Sequence, residues 1–193
     1  VLSAGVLVDF EQTPEYQQSL RMRCACDRVL CHVFNVTPDR VERFKKNSDL
    51  FILDKEFAID LRVKLQNGSH LTGQEKTLSN QFYKYRTFTI EFFQNRYTKE
   101  PGEFFHIASQ FYLHGYSDET GIHFAEWIIL DVLEFMHYLR KKNIDDLAQR
   151  TRPAGGSRAS FLPIPYDNIP SQFIKARWKR KTSVVLDESF SFN

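Results

Sequence analysis

The sequence predicts an α/β (α+β) fold in which a central mixed sheet of four to five strands is flanked by helices. Three features predict it: a capped helix near residue 14, a hairpin whose alternating first strand leads into Asn67-Gly68, and an apolar strand ending at Asp131 that leads into another helix. With 193 residues, 42% of them hydrophobic, the chain can bury one sizeable core. We therefore expect a single domain over residues 1–193, with a loop-rich basic extension from about residue 150.

Composition excludes several classes of protein. The formal net charge is only +2, which does not suit a histone-like polyelectrolyte but permits a local basic face. There is no run of about 18 apolar residues, so we expect no membrane span and no membrane partner. The first residues lack the basic and apolar regions of a secretory signal, and the three cysteines bunch in one predicted helix. We therefore expect unpaired, buried thiols and a cytoplasmic location.

The first helix is predicted to begin at Thr13-Pro14, because threonine is a good N-cap and proline suits the first helical position. Residues spaced three and four apart then form one stripe: Tyr16, Leu20, Cys24, Asp27, Cys31 and Phe34. A carboxylate in such a stripe is costly to bury unless it is paired or metal-bound. Asp27 therefore either pairs with Arg23 or Arg28 or joins a metal site. Residues 37–46 are predicted as a second helix, and residues 50–53 as a strand or the lead-in to a hairpin.

The dipeptide Asn67-Gly68 predicts a two-residue type I′ turn, since both central positions of that turn require φ > 0. The segment before it alternates apolar and polar residues, which is the period of a half-buried strand. Counting back from the turn places Asp60 opposite Glu75. Gly73 is typical of a bulge, and one bulge there would place Asp60 opposite Lys76 instead.

In either register the far end of the hairpin brings together an acid and a polar triplet: Asp60, Gln74, Glu75 and Lys76. Carboxylate and amide oxygens on neighbouring strands can share a hard divalent cation such as Mg2+. A lysine beside that cation can orient or deprotonate an attacking water, or stabilise charge on a phosphate. The alternative is an amphipathic hairpin whose polar face is solvated.

The arrangement Asp60 … Gln74-Glu75-Lys76 resembles the PD-(D/E)xK, or restriction-endonuclease-like, nuclease superfamily. The order of elements extends the resemblance over roughly residues 14–142. The resemblance implies a metal-dependent endodeoxyribonuclease of a bacterial or phage-infected cell, with Mg2+ or Mn2+ as cofactor, DNA as partner and a homodimer as a common assembly. It implies Asp60, Gln74, Glu75 and Lys76 as catalytic residues and an extra metal-binding acid at Asp27. The family usually has an acid where this chain has Gln74, so either the amide oxygen of Gln74 or the carboxylate of Glu75 would join Asp60 on the metal.

Two further segments suit a nucleic-acid backbone. Lys84 and Arg86 lie among aromatic residues after the hairpin, and Arg177-Trp178-Lys179-Arg180 belongs to the densest basic run. Rings can stack on bases and cations can neutralise phosphates. Together with Arg62 on the hairpin, these are the predicted nucleic-acid-binding residues. The alternative is that they pack on the sheet or are merely solvated.

The remaining elements follow from local patterns. Residues 87–93 are predicted as a strand by β-propensity and alternation, with Glu91 directed either to the site or to solvent. Residues 103–116 are predicted as a buried strand pair, and Asp131 as the cap of a helix over residues 132–142. Residues 161–165 are predicted to be extended but outside any central strand, because of their prolines.

Two other hypotheses stay open. The first is a catalytically inactive nucleic-acid-binding or assembly module on the same fold, which Gln74 in place of an acid favours. The second is an α/β protein without a nucleic-acid role. The sequence contains no Walker A, Gly-x-Ser-x-Gly or His-Glu-x-x-His motif, so it does not support a nucleotide-binding, serine-hydrolase or zinc-hydrolase function.

Overall fold

The computed structural model describes residues 12–44, 51–153 and 157–180. Within these ranges the α-helices are α1 (Pro14–Phe34), α2 (Phe51–Phe57), α3 (Glu103–His106), α4 (Val132–Arg140) and α5 (Ile144–Gln149). The strands are β1 (Val41–Arg43), β2 (Leu61–Lys64), β3 (His70–Leu78), β4 (Thr87–Asn95), β5 (Glu100–Pro101), β6 (Phe111–Ser117), β7 (Phe124–Asp131), β8 (Arg152–Pro153), β9 (Ser160–Pro165) and β10 (Ile174–Lys179).

The strands form two sheets. A six-stranded mixed sheet has the order β1-β2-β3-β6-β7-β10, in which β3 and β6 are parallel and the other neighbours antiparallel. A four-stranded antiparallel sheet has the order β5-β4-β9-β8. The predicted α/β class with a mixed sheet is therefore confirmed. The central sheet has six strands rather than four to five because β1 and β10 extend its two edges.

The six-stranded sheet separates two hydrophobic clusters. On one face, α1 packs with Met22, Cys26 and Leu30 against side chains of β2, β6 and β7 such as Leu61 and Leu113. On the other face lie the four-stranded sheet and α4, whose buried side chains pack against alternate residues of β6 and β7. The alternation places neighbouring residues of each central strand in different clusters, as the two-residue period of a strand requires.

Helix α1 begins where predicted but buries a different face. The Thr13 hydroxyl accepts a hydrogen bond from the backbone N–H of Tyr16 at 3.3 Å, which confirms the N-cap. The predicted stripe is wrong, since Cys24 is exposed. A second stripe with the same spacing of three and four packs on the sheet: Met22, Ala25, Cys26, Val29 and Leu30. The three thiols are free as expected, but of the three only Cys26 is buried.

The structure of residues 37–57 and 103–116 depends on contacts with segments that are distant in sequence, and it differs from the prediction. Residues 37–46 do not form a helix in their described part: a 3-10 helix over Pro38–Arg40 is followed by β1, which pairs with β2. Residues 45–50 lie outside the described residues. The segment 51–57 is helical, and 103–116 forms the short helix α3 and a single strand instead of a strand pair.

Later elements follow the sequence more closely. Strand β4 is confirmed, and Asp131 caps α4 by accepting a hydrogen bond from the Glu134 N–H. The segment predicted as a loop-rich extension contains β9 and β10. Strand β9 lies inside the small sheet despite its prolines, because β8 pairs only with Ser160 and Phe161. The prolines lie beyond the end of β8, so on that side their missing N–H groups break no ladder.

Candidate functional site

The hairpin closes through a three-residue loop rather than the predicted two-residue turn. Leu65 N–H donates to the Ser69 carbonyl at 2.8 Å, and Gly68 N–H donates to the Leu65 carbonyl at 3.0 Å. Among the two loop residues of the Asn-Gly pair, only Gly68 has positive φ, at 84°. This pattern is a type I turn followed by a left-handed glycine, a standard alternative to type I′.

The change of turn shifts the register by one residue. Leu61 lies opposite Gly73 and Lys64 opposite His70, without a bulge between them. Both predicted registers are therefore wrong, and Asp60 precedes β2 at the level of Gln74. Gly73 is required for another reason: a Cβ there would lie 2.2 Å from the ring of Phe111. Because a shift of one residue exchanges the two faces of a strand, it decides which polar side chains meet.

Gln74 and Lys76 project from β3 toward the four-stranded sheet. The Lys76 ammonium lies 4.3 Å from the ring centroid of Phe161 on β9. In the small sheet Phe161 is opposite Glu91, whose charge acts on Lys76. Glu91 is therefore directed toward the site rather than toward solvent.

Asp60 reaches the same region from the end of β2. Its Oδ2 accepts a hydrogen bond from the Glu75 backbone N–H at 3.0 Å. The chain enters this position through Ala58, which has a left-handed φ of 48° and whose carbonyl accepts a hydrogen bond from the Ser109 hydroxyl. A non-glycine residue in that conformation is strained and is held by its surroundings, a feature often found next to functional residues.

A further acid, Glu103 at the start of α3, completes the group. It lies near Tyr112, which is the register partner of Gln74 on β6. Burial raises the pKa of the Tyr112 hydroxyl, and the charges of Glu103 and Asp60 raise it further. We call these residues, which lie where the two sheets meet, the inter-sheet corner: Asp60, Gln74, Lys76, Glu91, Glu103 and Tyr112.

Electrostatics in the inter-sheet corner are set by desolvation. Burial lowers the pKa of Lys76 below its ordinary value, although Glu103 and Glu91 act in the opposite direction. Burial raises the pKa of Glu103 to about 7, against the opposing charge of Lys76. Apart from the buried Tyr112, its members retain partial exposure, so the corner is recessed without being sealed.

His114 forms the inner wall of the corner. It is the register partner of Lys76 and is fully buried. Its Nδ1 lies 2.6 Å from the Tyr166 hydroxyl, and burial followed by the charge of Lys76 holds its pKa well below the usual value. A neutral imidazole in this position packs and hydrogen-bonds without adding a charge.

Glu75 and Asp27 lie on the α1 side of the sheet, where both bind Arg43. The Arg43 guanidinium donates to Glu75 at 2.7 and 2.9 Å and to Asp27 at 2.6 Å. The predicted pairing of Asp27 with Arg23 or Arg28 is therefore wrong, because the partner comes from β1. Alternation along β3 directs Glu75 to the face opposite Gln74 and Lys76, where Arg43 engages it together with Asp27, so neither carboxylate supports the predicted metal-ligand role.

Two of the four predicted nucleic-acid-binding arginines bind a buried carboxylate. Arg86 binds Glu126 through two hydrogen bonds of 2.8 and 3.0 Å, and Arg177 binds the same carboxylate at 2.9 Å. Glu126 is fully buried, and Asp167 also pairs with both arginines. These contacts give Arg86 and Arg177 a structural role, and their contact with nucleic acid stays a prediction.

The other predicted contact residues divide into paired and exposed side chains. Arg62 pairs with Glu42, Arg180 pairs with Asp118, and Trp178 packs against the α1 cluster. Lys84 and Lys179 are exposed, and the Lys84 ammonium lies 5.1 Å from the ring centroid of Tyr85. Of the predicted cations, these two lysines alone have no ion pair with an acid among the described residues.

Glu103 and Tyr112 are site residues that the sequence did not predict. Glu103 was placed within a strand pair, and no motif marks it. The available signal was weak: Gly102 before an acid and a run of aromatic residues is typical of a tight approach to a neighbouring strand. A Cβ at Gly102 would lie 2.9 Å from Glu91, which shows that the approach is real.

Comparisons with family models, curated proteins and solved structures find no match for this chain. The resemblance of the hairpin to the PD-(D/E)xK superfamily therefore stays a prediction. Within the described residues there is no group of three or more His, Cys, Asp or Glu side chains placed to hold a metal. None of the helices in the same ranges has the length and apolar character needed to cross a bilayer.

Proposed function

We propose that the protein is a metal-dependent endodeoxyribonuclease whose active site is the inter-sheet corner. The observation that supports this most is the placement of Lys76 beside Gln74, at the end of β3 where Asp60 enters the sheet. A desolvated lysine next to carboxylate and amide oxygens can bind a metal and stabilise the charge that develops in phosphodiester hydrolysis.

The donor set suits a hard divalent cation. The Oε1 of Gln74 is buried and has no hydrogen-bond partner among the described residues. A buried acceptor without a donor is unfavourable, and a cation would satisfy it. Asp60 and Gln74 would hold Mg2+ or Mn2+, and neither Glu75 nor Asp27 would take part. When bound, such an ion polarises the phosphate and lowers the pKa of its water.

Lys76 provides the second function of the corner. Its side chain lies over Phe161, where burial makes the charged form less favourable than in water. In its charged form it would donate hydrogen bonds to a phosphate oxygen or to the attacking water. Because little water competes in a recessed corner, each such hydrogen bond is stronger than at an exposed surface.

Substrate contact would come from three cations at the surface, of which Lys99 and Arg158 are exposed and Arg96 is partly buried. Arg96, Lys99 and Arg158 form no ion pair with a described acid and lie at one end of the small sheet, where the Arg96 N–H donates to the Arg158 carbonyl. Tyr97 between them is 71% exposed. Glu91 and Asn95 lie on the same strand, and four residues of strand span about 13 Å. This end is thus about two nucleotides from the corner.

The experiment is a plasmid-nicking assay with Mg2+, Mn2+ or EDTA on the wild type, Asp60→Ala and Lys76→Met. A matched control is Lys175→Met, since Lys175 lies on the surface and pairs with Asp131. We expect nicking by the wild type and the control with either metal, none with EDTA, and at least about 100-fold slower nicking by the two corner variants. Equal nicking by all four proteins would identify a contaminant and refute the proposal.

The catalytically inactive module remains the second candidate, because Gln74 brings no charge to the site. It predicts that the wild type binds DNA in the presence of Mg2+ without cutting it. Retained binding with no nicking under any metal would favour this candidate over the nuclease.

A further inference from the structure

We propose that Glu103 replaces the acid that is absent at position 74, so that Asp60, Gln74 and Glu103 form one divalent-cation site. The inference rests on the proposed function, since it names the ligands of that site. Glu103 begins α3, which follows β5 of the small sheet, so no motif of the hairpin includes it.

Two buried oxygens without hydrogen-bond partners support the inference. The Oε1 atoms of Gln74 and Glu103 are both buried, and neither has a hydrogen-bond partner among the described residues. Native proteins rarely leave such atoms unpaired. When Glu103 is ionised both atoms are acceptors, so they cannot satisfy each other. A cation coordinated by both oxygens would satisfy them together.

Tyr112 shows that these oxygens belong to one place. Gln74 is its register partner on the adjacent parallel strand. Glu103 follows Gly102, where a Cβ would lie 2.9 Å from Glu91 of the same corner. The charges of Glu103 and Asp60 both act on the Tyr112 hydroxyl. Three oxygen-bearing side chains, from β3, α3 and the residue before β2, therefore lie near a single buried phenol.

Glu103 is fixed by its neighbours. The backbone N–H of Gly102 donates to the Phe92 carbonyl at 3.0 Å, and the next side chain, Phe104, is fully buried. Arg140 of α4 donates to the Phe104 carbonyl. A ligand held on both sides is preorganised, so little entropy is lost when a cation binds.

Lys76 does not neutralise Glu103 by a direct ion pair. No carboxylate within the described ranges lies within 4.0 Å of the Lys76 ammonium, which faces the Phe161 ring. The contrast with Glu75 is clear, because both oxygens of Glu75 are engaged by Arg43. Of these two acids, only Glu103 retains an oxygen available for a ligand.

The chemistry of the three side chains defines the ion. Two carboxylates and one amide are hard oxygen donors, which favour Mg2+ and Mn2+ over softer metals. Two negative charges match one divalent cation. Three protein ligands leave room for water and for a phosphate oxygen in an octahedral shell.

The test is a Mn2+ titration followed by electron paramagnetic resonance, without DNA, on the wild type, Glu103→Gln and Glu134→Gln. Glu134 is an exposed acid of α4 and serves as the matched control. We expect the wild type and the control to bind one Mn2+ with the same affinity, and Glu103→Gln to bind at least about tenfold more weakly. Unchanged binding by Glu103→Gln, or no binding by the wild type, would overturn the inference.

A second variant distinguishes loss of the metal site from misfolding. Gln74→Glu adds a charge to the donor set and should tighten Mn2+ binding several-fold, a gain that a damaged fold does not produce. Unchanged affinity would count against the site. A nicking assay run alongside separates the two proposals. If Mn2+ binding depends on Glu103 but the protein does not nick DNA, only the nuclease proposal is refuted. If the protein nicks DNA but Glu103→Gln binds Mn2+ normally, only this inference is refuted.

Discussion

Replacing Glu75 by glutamine tests whether this acid is structural or catalytic. In the structure Glu75 and Arg43 form two charge-assisted hydrogen bonds of 2.7 and 2.9 Å, with side chains 18% and 14% exposed. Breaking a fully buried pair by removing one partner costs about 3–5 kcal/mol. Here the pair is slightly exposed and glutamine retains one acceptor, so we expect a loss of about 2–3 kcal/mol in the free energy of unfolding.

The matched control is Glu42→Gln. Glu42 pairs with Arg62 on the surface, where the side chains are 52% and 38% exposed, and such pairs contribute about 0.2–1 kcal/mol. Urea denaturation followed by circular dichroism measures both losses, and a loss of about 2–3 kcal/mol corresponds to a fall of about 4–12 °C in the melting temperature. Mn2+ affinity should be unchanged in both variants. A small loss of stability for Glu75→Gln together with loss of Mn2+ binding would refute the assignment.

Three other changes have defined outcomes. Burial raises the pKa of Glu126, but hydrogen bonds from Arg86 and Arg177 lower it by more, so the net pKa lies below the ordinary value. The ionised Glu126 therefore stabilises the fold above the pKa of the unfolded state, and this stabilisation is lost as the pH falls through the pKa of the folded state. The difference in unfolding free energy between wild type and Glu126→Gln should therefore shrink below about pH 4.5 in acid titrations, and a constant difference would contradict it. Gly73→Ala should destabilise the fold by about 1–3 kcal/mol in urea denaturation, because the added Cβ meets the Phe111 ring; a neutral effect would show that the ring can move. Arg96→Gln should lower the salt dependence of DNA binding by about one unit of slope in anisotropy titrations, and an unchanged slope would exclude a phosphate contact.

The helix caps and the hairpin could be predicted because they depend on residues that are close in sequence. Thr13 caps α1 and Asp131 caps α4 because each side chain bonds an N–H three residues away. The hairpin was also predictable, since Asn67-Gly68 marks its turn. The choice between a two-residue and a three-residue loop was not, because both accept a glycine with positive φ. That single residue decided that Asp60 lies at the level of Gln74 rather than Glu75.

Non-local contacts explain the rest. The basic run at the end of the described chain was predicted as a phosphate-binding element, yet it alternates apolar Ile174, Ala176 and Trp178 with charged residues, as in an edge strand. Arg177 is drawn inward by the buried Glu126, which lies 51 residues earlier in sequence. Glu103 lies near Lys76 only because the four-stranded sheet packs against the six-stranded sheet. Spacing along the chain carries no information of that kind.

The most direct measurement is anomalous diffraction from crystals grown with Mn2+. The structure predicts one peak at the inter-sheet corner, about 2–2.5 Å from oxygens of Asp60, Gln74 and Glu103. A peak between Glu75 and Asp27, or no peak at a Mn2+ concentration that saturates nicking, would contradict the proposed site.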